Sequence, residues 1–577
     1  MQSGATHEVL NQPPPLEDYS LYASDAALRE GLVREGGGGF EAELHAFGVE
    51  VGRAESFALG RQANRFTPEL RTHDRFGHRI DEVDYHPAWH AVMRLAIEHR
   101  LHNLPWRAAQ ARAAGGAAPA REAAPGAIVA RAALHSMLAQ VEAGSCCPLT
   151  MTFAAWPVLR DDAALAAEWG PALSGTRYEP RLLPVSQKSA ALIGMAMTEK
   201  QGGSDVRANT TRASATGDGC FALDGHKWFC SAPMSDAFLV LAQLEAGAGR
   251  GGLSCFFVPR VLPDGTRNPF ALQRLKDKLG NRSNASSEVE FRGSWARLVG
   301  EPGRGVRTIL EMVQHTRLDC VSGSAGLMRQ AAAQAIHHAQ HRAAFGRRLA
   351  EHALMQNVLA DLALESEAAS ALMLRLARAF EAPGDAGERA FARIATAAAK
   401  YWVCKRTPQA ILEAMECLGG NGYVEESMLP RLYREAPVNA IWEGSGNVIC
   451  LDVLRALVRE PDCAPALLAE LRQARGADRR LDAWTARLEA ELADPADAEL
   501  RARRTVERVA LALEASLLVR FAPPFVADAF CAARLGSEDG LAGLHFGALP
   551  RGIECARIVE RAGVGGASQA PAAVDTR

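Results

Sequence analysis

The chain has 577 residues, 48% of them hydrophobic and 23% charged, with a formal net charge of -3. That length exceeds what one hydrophobic core serves and predicts three or four domains of ordinary globular composition. A charge so near zero excludes a global attraction to nucleic acid or to an acidic membrane surface, so any such binding needs a local basic patch.

The opening residues, MQSGATHEVLNQPPPLEDYS, lack a basic region followed by an apolar stretch, and no secretory signal is expected. No apolar run is long enough to span a bilayer. The 12 cysteines are scattered without a C-x-x-C pair, and the adjacent Cys146 and Cys147 cannot easily bridge each other. This usage suits a cytoplasmic protein with reduced thiols.

Residues 1–185 read as a helical domain with irregular connections, and LHSMLAQVEA (134–143) has the apolar pattern of a helix. The Ala/Gly/Arg/Pro-rich stretch from Arg107 to Gly126 reads as a mobile surface loop. Near Leu192 the texture changes. FALDGHKWF (221–229) holds an Asp-Gly turn between apolar stretches, a hairpin signal that HKWFCSAP (226–233) closes. FLVLAQL (238–244), LSCFFVP (253–259) and SEVEF (287–291) are short and rich in β-formers, so 186–295 is predicted to be a β domain.

The helical period then returns over 296–455. Leu354, Val358, Leu362 and then Leu372, Leu376, Phe380 mark the buried stripe of one long helix. A second runs over 394–418, with Pro408 expected to kink or restart it and Gly419 and Gly420 to stop it. Residues 456–577 form a further helical block ending in a small, polar, disordered tail from residue 562.

Four segments have the residue types that chemistry needs. In MAMTEKQGGSDVRANTTR (195–212), hydroxyls and glycines could cradle a ring edge or a phosphate, although a chain-reversing turn has the same composition. In HKWFCSAP, an aromatic pair beside a serine could wall a flat ring or simply fill a core. HRAAFG (341–346) ends a helix with Arg342 and Phe345; His337 and His341 are spaced i, i+4, but without a third ligand no metal site is expected. Between two glycine clusters, Glu443 lies beside Trp442, where partial desolvation would make it a better base.

Taken in this order the four segments resemble the acyl-CoA dehydrogenase superfamily, with its Thr-Glu…Gly-Ser-Asp, Arg-x-x-Phe-Gly, Gly-Gly-x-Gly-Tyr and Glu-Gly motifs. NQPPPLEDYSLYASD (11–25), HPAWH (86–90), MTFAAWP (151–157), LKDKLGNRSNAS (275–286) and PRLYREAPVNAIWEGSGN (430–447) are similar to its AidB group, which is linked to bacterial DNA-alkylation stress. The resemblance implies an α+β fold with an N-terminal helical domain, a central β domain, a four-helix bundle and an extra C-terminal helical domain. It implies an FAD flavoprotein. Met195, Met197, Thr198, Gly203, Ser204, Phe229, Cys230, Ser231, Gly419, Gly420, Trp442, Ser445 and Asn447 would lie at the cofactor. Arg342 and Phe345 would reach the FAD of a neighbouring subunit in a homotetramer, with Ala353 departing from the glutamine common in the family.

By the same resemblance Glu443 is the catalytic base of acyl-CoA dehydrogenation, Thr316 and Arg317 lie near the substrate, and Gln314 replaces a common acid. The AidB type implies weak or latent activity and binding of double-stranded DNA; the alternative is a working dehydrogenase that passes electrons to an electron-transfer flavoprotein. For DNA the sequence offers two arginine clusters, Arg472, Arg475, Arg479, Arg480 and Arg501, Arg503, Arg504, Arg508. Yet residues 451–577 hold 17 arginines and no lysine against 19 acids, so the block is not basic overall.

Overall fold

The computed structural model describes residues 6–113, 123–217, 219–245, 251–536 and 545–564. The N-terminal region consists of α1 (Ala26–Arg34), α2 (Glu41–Val51), α3 (Ala54–Arg65), α4 (Pro87–Glu98), α5 (Leu104–Ala113), α6 (Ala127–Val141), α7 (Cys146–Leu159) and α8 (Ala163–Leu173). Every residue of α6 is buried, because α9 and α10 below close over it. Its sequence has no polar face, and its two bulkiest polar side chains, Arg131 and His135, are tied inward. Arg131, for example, pairs with Asp319 and donates from Nε to the Leu101 carbonyl at 2.8 Å.

Two departures from the sequence reading fall in this region. Residues 107–113, assigned to a loop, belong to α5, whose alanines carry the helix; the rest of that low-complexity segment, 114–122, lies outside the described residues. A hairpin, β1 (Glu69–His73) and β2 (Arg79–Asp84), interrupts the helices. Its strands are charged and only half-buried, so no apolar alternation announced it. It leans on the β domain, where Leu272 N donates to Asp81 Oδ1 and Arg79 Nη2 to the Leu272 carbonyl.

The β domain comprises β3 (Ile193–Ala196), β4 (Arg212–Gly217), β5 (Cys220–Ser231), β6 (Ala237–Leu244), β7 (Gly252–Pro259), β8 (Ala271–Leu275) and β9 (Ser286–Val299). Strands β6, β4, β5, β9 and β7 close on themselves through the β6–β7 pairing. Strands β3 and β4 lie parallel to β6 at opposite ends of it, β3 at Ala237–Val240 and β4 at Gln243–Leu244. The chain between them, 197–211, is therefore an excursion out of the barrel wall. The expected Asp224-Gly225 turn is not a turn. It lies inside the continuous strand β5, where the register to β9 slips by a bulge that Gly225 accommodates at φ +150°. The pairing of β4 with β5 instead brings Gly217 opposite Cys220.

Beyond the barrel stand three long helices, α9 (Gly305–His341), α10 (Ala353–Glu381) and α11 (Ala386–Cys417). Helix α11 continues through Pro408 without the restart that was one of the two expectations there, held between α9, α10 and α17 below. The buried stripe of α10 starts at Leu359; Leu354, predicted to lie in it, is 77% exposed. After α12 (Gly420–Tyr423) and α13 (Leu429–Glu435), α14 (Gly446–Arg459) packs on α11. The C-terminal block, α15 (Cys463–Arg472), α16 (Arg479–Ala493), α17 (Ala498–Phe521), α18 (Pro524–Phe530) and α19 (Cys555–Ala562), is laid onto these helices. Arg534 clamps it, donating from Nη2 to Asp361 at 2.6 Å and to Glu365 at 2.7 Å. The predicted tail lies, from residue 565, outside the described residues. No helix among the described residues is long and apolar enough to cross a membrane.

Candidate functional site

A cavity of about 1440 Å³ opens between the barrel, α9 and the turn that precedes α14. It is larger than the usual 300–1,000 Å³ of a small-molecule pocket and has room for two ligands. Glu443 stands on that turn in the left-handed region, at φ +58°, and Gly444 follows at φ +107°. A non-glycine residue held so costs about 1–3 kcal/mol and persists only where its surroundings over-determine it. Here they do. Lys400, 1% exposed in α11, donates from Nζ to the Trp442 carbonyl at 2.7 Å and also to the Gly444 carbonyl, clasping the turn from both sides. Arg317 Nε donates to the Glu443 carbonyl at 3.1 Å, and its Nη1 to Asp452 Oδ2 at 2.7 Å. A Cβ on Gly444 would press Ile449 at 3.0 Å, so glycine is required there twice over.

The Glu443 carboxyl accepts a 2.7 Å hydrogen bond from Thr316 Oγ1. Burial pushes its pKa up, opposed by the Thr316 hydroxyl and the charges of Lys400 and Arg317. The result is a carboxylate with reduced solvation and a raised proton affinity, aimed into a cavity: the properties of a general base. Trp442 is fixed beside it by Nε1–H donation to Asn439 Oδ1 at 3.1 Å.

The opposite wall is the 197–211 excursion. Its anchor is a fully buried ion pair: Lys227 Nζ, on β5, donates to Glu199 Oε1 at 2.8 Å and to the Leu241 carbonyl at 2.7 Å. Glu199 also accepts from Thr210 N at 2.7 Å and Thr211 N at 3.2 Å, so both ends of the loop hang on one carboxylate. Strand alternation then sorts the predicted contacts. Phe229 and Ser231 line the cavity, whereas Cys230 between them points into the barrel core and is fully buried, contrary to its expected place at the cofactor. Met195 and Met197 likewise line the cavity, with Ala196 turned into the core.

Thr198, Gly203, Ser204, Trp442 and Ser445 also border the cavity, as do Thr316 and Arg317. The latter two spend hydrogen bonds on Glu443. Arg342, Phe345, Gly419, Gly420 and Asn447 do not line it. Phe345, 96% exposed, tips a short hairpin (Ala343–Ala344 with Arg347–Arg348), and Arg342 bonds the Asn11 carbonyl. Gly419 and Gly420 are exposed beyond α11, and Asn447 Oδ1 accepts from Arg503 Nε at 2.8 Å. The donor set facing the cavity suits FAD: methionine, phenylalanine and indole surfaces for a flat ring, with the Thr198, Ser204 and Ser231 hydroxyls at its edge. Arg307, Arg389, Arg455 and Arg459 at the rim suit phosphates.

Sequence reasoning missed Glu199, Lys227, Lys400 and Asn439. Lys400 had a legible signal, a lone lysine in the apolar run ATAAAKYWV, where a buried ammonium must find acceptors. No cluster of three or more metal-ligating side chains occurs among the described residues.

The C-terminal arginines are largely matched by local acids. Arg472 pairs with Glu489, Arg480 with Asp478 and Asp528, Arg501 with Glu491 and Asp494, and Arg504 and Arg508 with Glu491. Arg472, Arg475, Arg479, Arg503 and Arg504 are nonetheless exposed.

Comparison with known proteins gives three family matches: the adaptive response protein AidB N-terminal domain over residues 11–180, the acyl-CoA dehydrogenase middle domain over 194–294 and the acyl-CoA dehydrogenase C-terminal domain over 303–458. The chain is 49% identical over 537 residues, 93% of its own length and 96% of the relative's, to an Escherichia coli (strain K12) protein named as acyl-CoA dehydrogenase AidB. The fold is similar to Caenorhabditis elegans ACDH-11 in complex with C11-CoA, with a TM-score of 0.80, 24% identity, and 92% and 94% of the two chains covered. It is similar also to a Bacillus anthracis acyl-CoA dehydrogenase complexed with FAD, at a TM-score of 0.58, 18% identity and coverage of 77% and 82%.

Proposed function

Since the chain belongs to the acyl-CoA dehydrogenase family, in the branch with an AidB-type N-terminal domain, and is an FAD-dependent oxidoreductase, we propose that it oxidises the Cα–Cβ bond of an acyl-CoA thioester with Glu443 as the base. The observation that carries this reading is the Glu443 carboxyl, bonded by Thr316 and aimed into the cavity from a clasped left-handed turn. Met195, Met197, Thr198, Gly203, Ser204, Phe229, Ser231, Trp442 and Ser445 would hold FAD in this chain. Phe345 is exposed and Arg342 beside it half-buried, and both would reach a second copy in a homo-oligomer; Gly419 and Gly420 are exposed as well.

FAD, when bound, supplies the acceptor for the β-hydrogen and its electron pair. Glu443 takes the α-proton, the Cα–Cβ double bond forms, and the proton rests on the carboxyl. Backbone N–H groups of the turn steady the thioester oxygen, a type of contact worth about 3 kcal/mol in the transition state. The rim arginines receive the phosphates of the coenzyme A moiety. An electron-transfer flavoprotein is the class of partner that would take the electrons on. The twelve cysteines are all free thiols, which supports a reducing, cytoplasmic setting.

The test is an anaerobic absorbance titration with straight and branched acyl-CoAs. Bleaching of the flavin band in the native protein, lost in Glu443→Gln, is the expected result; a bound flavin that no thioester bleaches would sink the reading. A second reading, association with double-stranded DNA in the alkylation response with only weak dehydrogenation, is favoured by the exposed arginines of the C-terminal block and opposed by their acidic partners. A mobility-shift assay decides it. Binding at low salt that falls steeply with ionic strength, and is lost when both arginine clusters are replaced, would support DNA association.

A further inference from the structure

Along α9, the residues Thr316, Asp319, Cys320, Gly323 and Leu327 form one stripe of the cavity wall, extending about 16 Å from the level of the base. His135 and Thr150 face this stripe from α6 and α7. A Cβ on Gly323 would lie 3.6 Å from both His135 Cε1 and Asn439 Nδ2, which puts His135 within reach of the Trp442–Asn439 contact. An acyl chain that followed this stripe from Glu443 would pass the polar side chains of His135, Thr150 and Asp319.

The hydrogens in that group do not add up. Thr150 Oγ1 donates to Asp319 Oδ2 at 2.6 Å, and Ser322 Oγ donates to the Ala132 carbonyl at 2.8 Å. His135 Nε2 lies 3.2 Å from Thr150 Oγ1, and Nδ1 lies 3.1 Å from Ser322 Oγ. Both hydroxyl protons are committed elsewhere, so both ring nitrogens face lone pairs. Burial pushes His135 down to about 4, and a neutral imidazole has one N–H to give. Asp319, paired with Arg131 and bonded by Thr150, is held below the usual carboxylate range despite its burial. The His135 ring is short of one donor. A hydroxyl or N–H reaching Asp319 would free Thr150 to turn its proton onto His135 and satisfy both ring nitrogens. One turn before Asp319 on the same helix, His315 also lines the cavity, and its buried Nδ1 has no partner among the described residues.

Resting on the dehydrogenase reading above, we propose that His135, Thr150 and Asp319 recognise a hydrogen-bond donor on the acyl chain, so that the substrate class is the thioester of a hydroxylated or amide-bearing acid. A buried polar wall matched to a donor rejects the analogue that lacks it, because its acceptors are then left unpaired.

The experiment uses flavin-loaded, full-length protein and pairs of thioesters that differ by the donor: butyryl-CoA against γ-hydroxybutyryl-CoA, and hexanoyl-CoA against ω-hydroxyhexanoyl-CoA and an acetamido analogue. Dissociation constants are read from the perturbed flavin spectrum of Glu443→Gln, and bleaching from the native protein. At least one donor-bearing member is expected to bind about tenfold tighter than its partner or better. Thr150→Val in the same background is expected to narrow that gap, and Thr150→Ser to keep it. Should Thr150→Val not fold, His135→Asn takes its place. Equal or tighter binding of the plain thioesters overturns the inference while leaving dehydrogenation standing, as does a gap untouched by the substitutions. Failure of every thioester to bind or bleach brings down the dehydrogenase reading and this inference with it.

Discussion

Glu443 shows how much one residue's function depends on groups it does not touch. Its carboxyl must be ionised to accept a proton, and burial raises its pKa above the ordinary glutamate range. Flavin bleaching should therefore rise with pH as the carboxyl loses its proton, with the acid limb above the ordinary glutamate range. Glu443→Gln should cut the bleaching rate by about 10²–10⁴ while thioester binding persists. Lys400 favours the carboxylate, so Lys400→Met should move the acid limb to higher pH. It should also cost about 1–3 kcal/mol in urea unfolding, since two buried carbonyls lose their donor. An unmoved limb would show that the ammonium does not govern the base. Thr316, Trp442 and Glu443 were legible in the sequence because their motifs are contiguous. Lys400 was not assigned, because what it holds is backbone brought to it by the fold, and Asn439 was not, because its amide joins the Trp442 indole to Ser324 on α9, a contact made only in the folded chain.

At the scale of elements, the decisive construction is the loop suspended between β3 and β4. Sequence pattern located the barrel strands from their β-branched and aromatic runs, but read Asp224-Gly225 as a turn because a bulge and a hairpin share that dipeptide. It read Pro408 as a break because the packing of α11 against its neighbours, which outweighs one missing N–H, cannot be seen locally. The same limit hid the partnership of Glu199 with Lys227, 28 residues apart and on different sides of the loop. Removing only one member leaves a buried charge alone. Lys227→Met is expected to destabilise the protein by about 3–5 kcal/mol and to loosen flavin binding, measured by denaturant unfolding and by flavin retention on dilution. Near-native stability in that variant would argue that Glu199 is neutral without it.

For the whole molecule, an exposed apolar side chain, Phe345, stands where the resemblance expects a neighbouring copy. Phe345, Leu354 and Tyr423 are 96%, 77% and 81% exposed. Sedimentation should find a homo-oligomer in solution, and Phe345→Ala with Leu354→Ala should shift it to smaller species and weaken flavin retention; an unchanged oligomer would place the interface elsewhere. The α+β architecture was legible from the alternation of periods along the chain. The merging of its helical parts was not, since α6 lies among α9 and α10 rather than in a core of its own. That burial has a consequence for synthesis. The ribosome releases α6 some 240 residues before α10 is complete, a wait of about 12–48 s at ordinary elongation speeds. Until then a helix with no face fit for water has only the N-terminal helices, α1, α2, α3 and α5 among them, and later α9, against it, so the nascent chain should need a holding chaperone, and a fragment ending at residue 185 should aggregate when expressed alone.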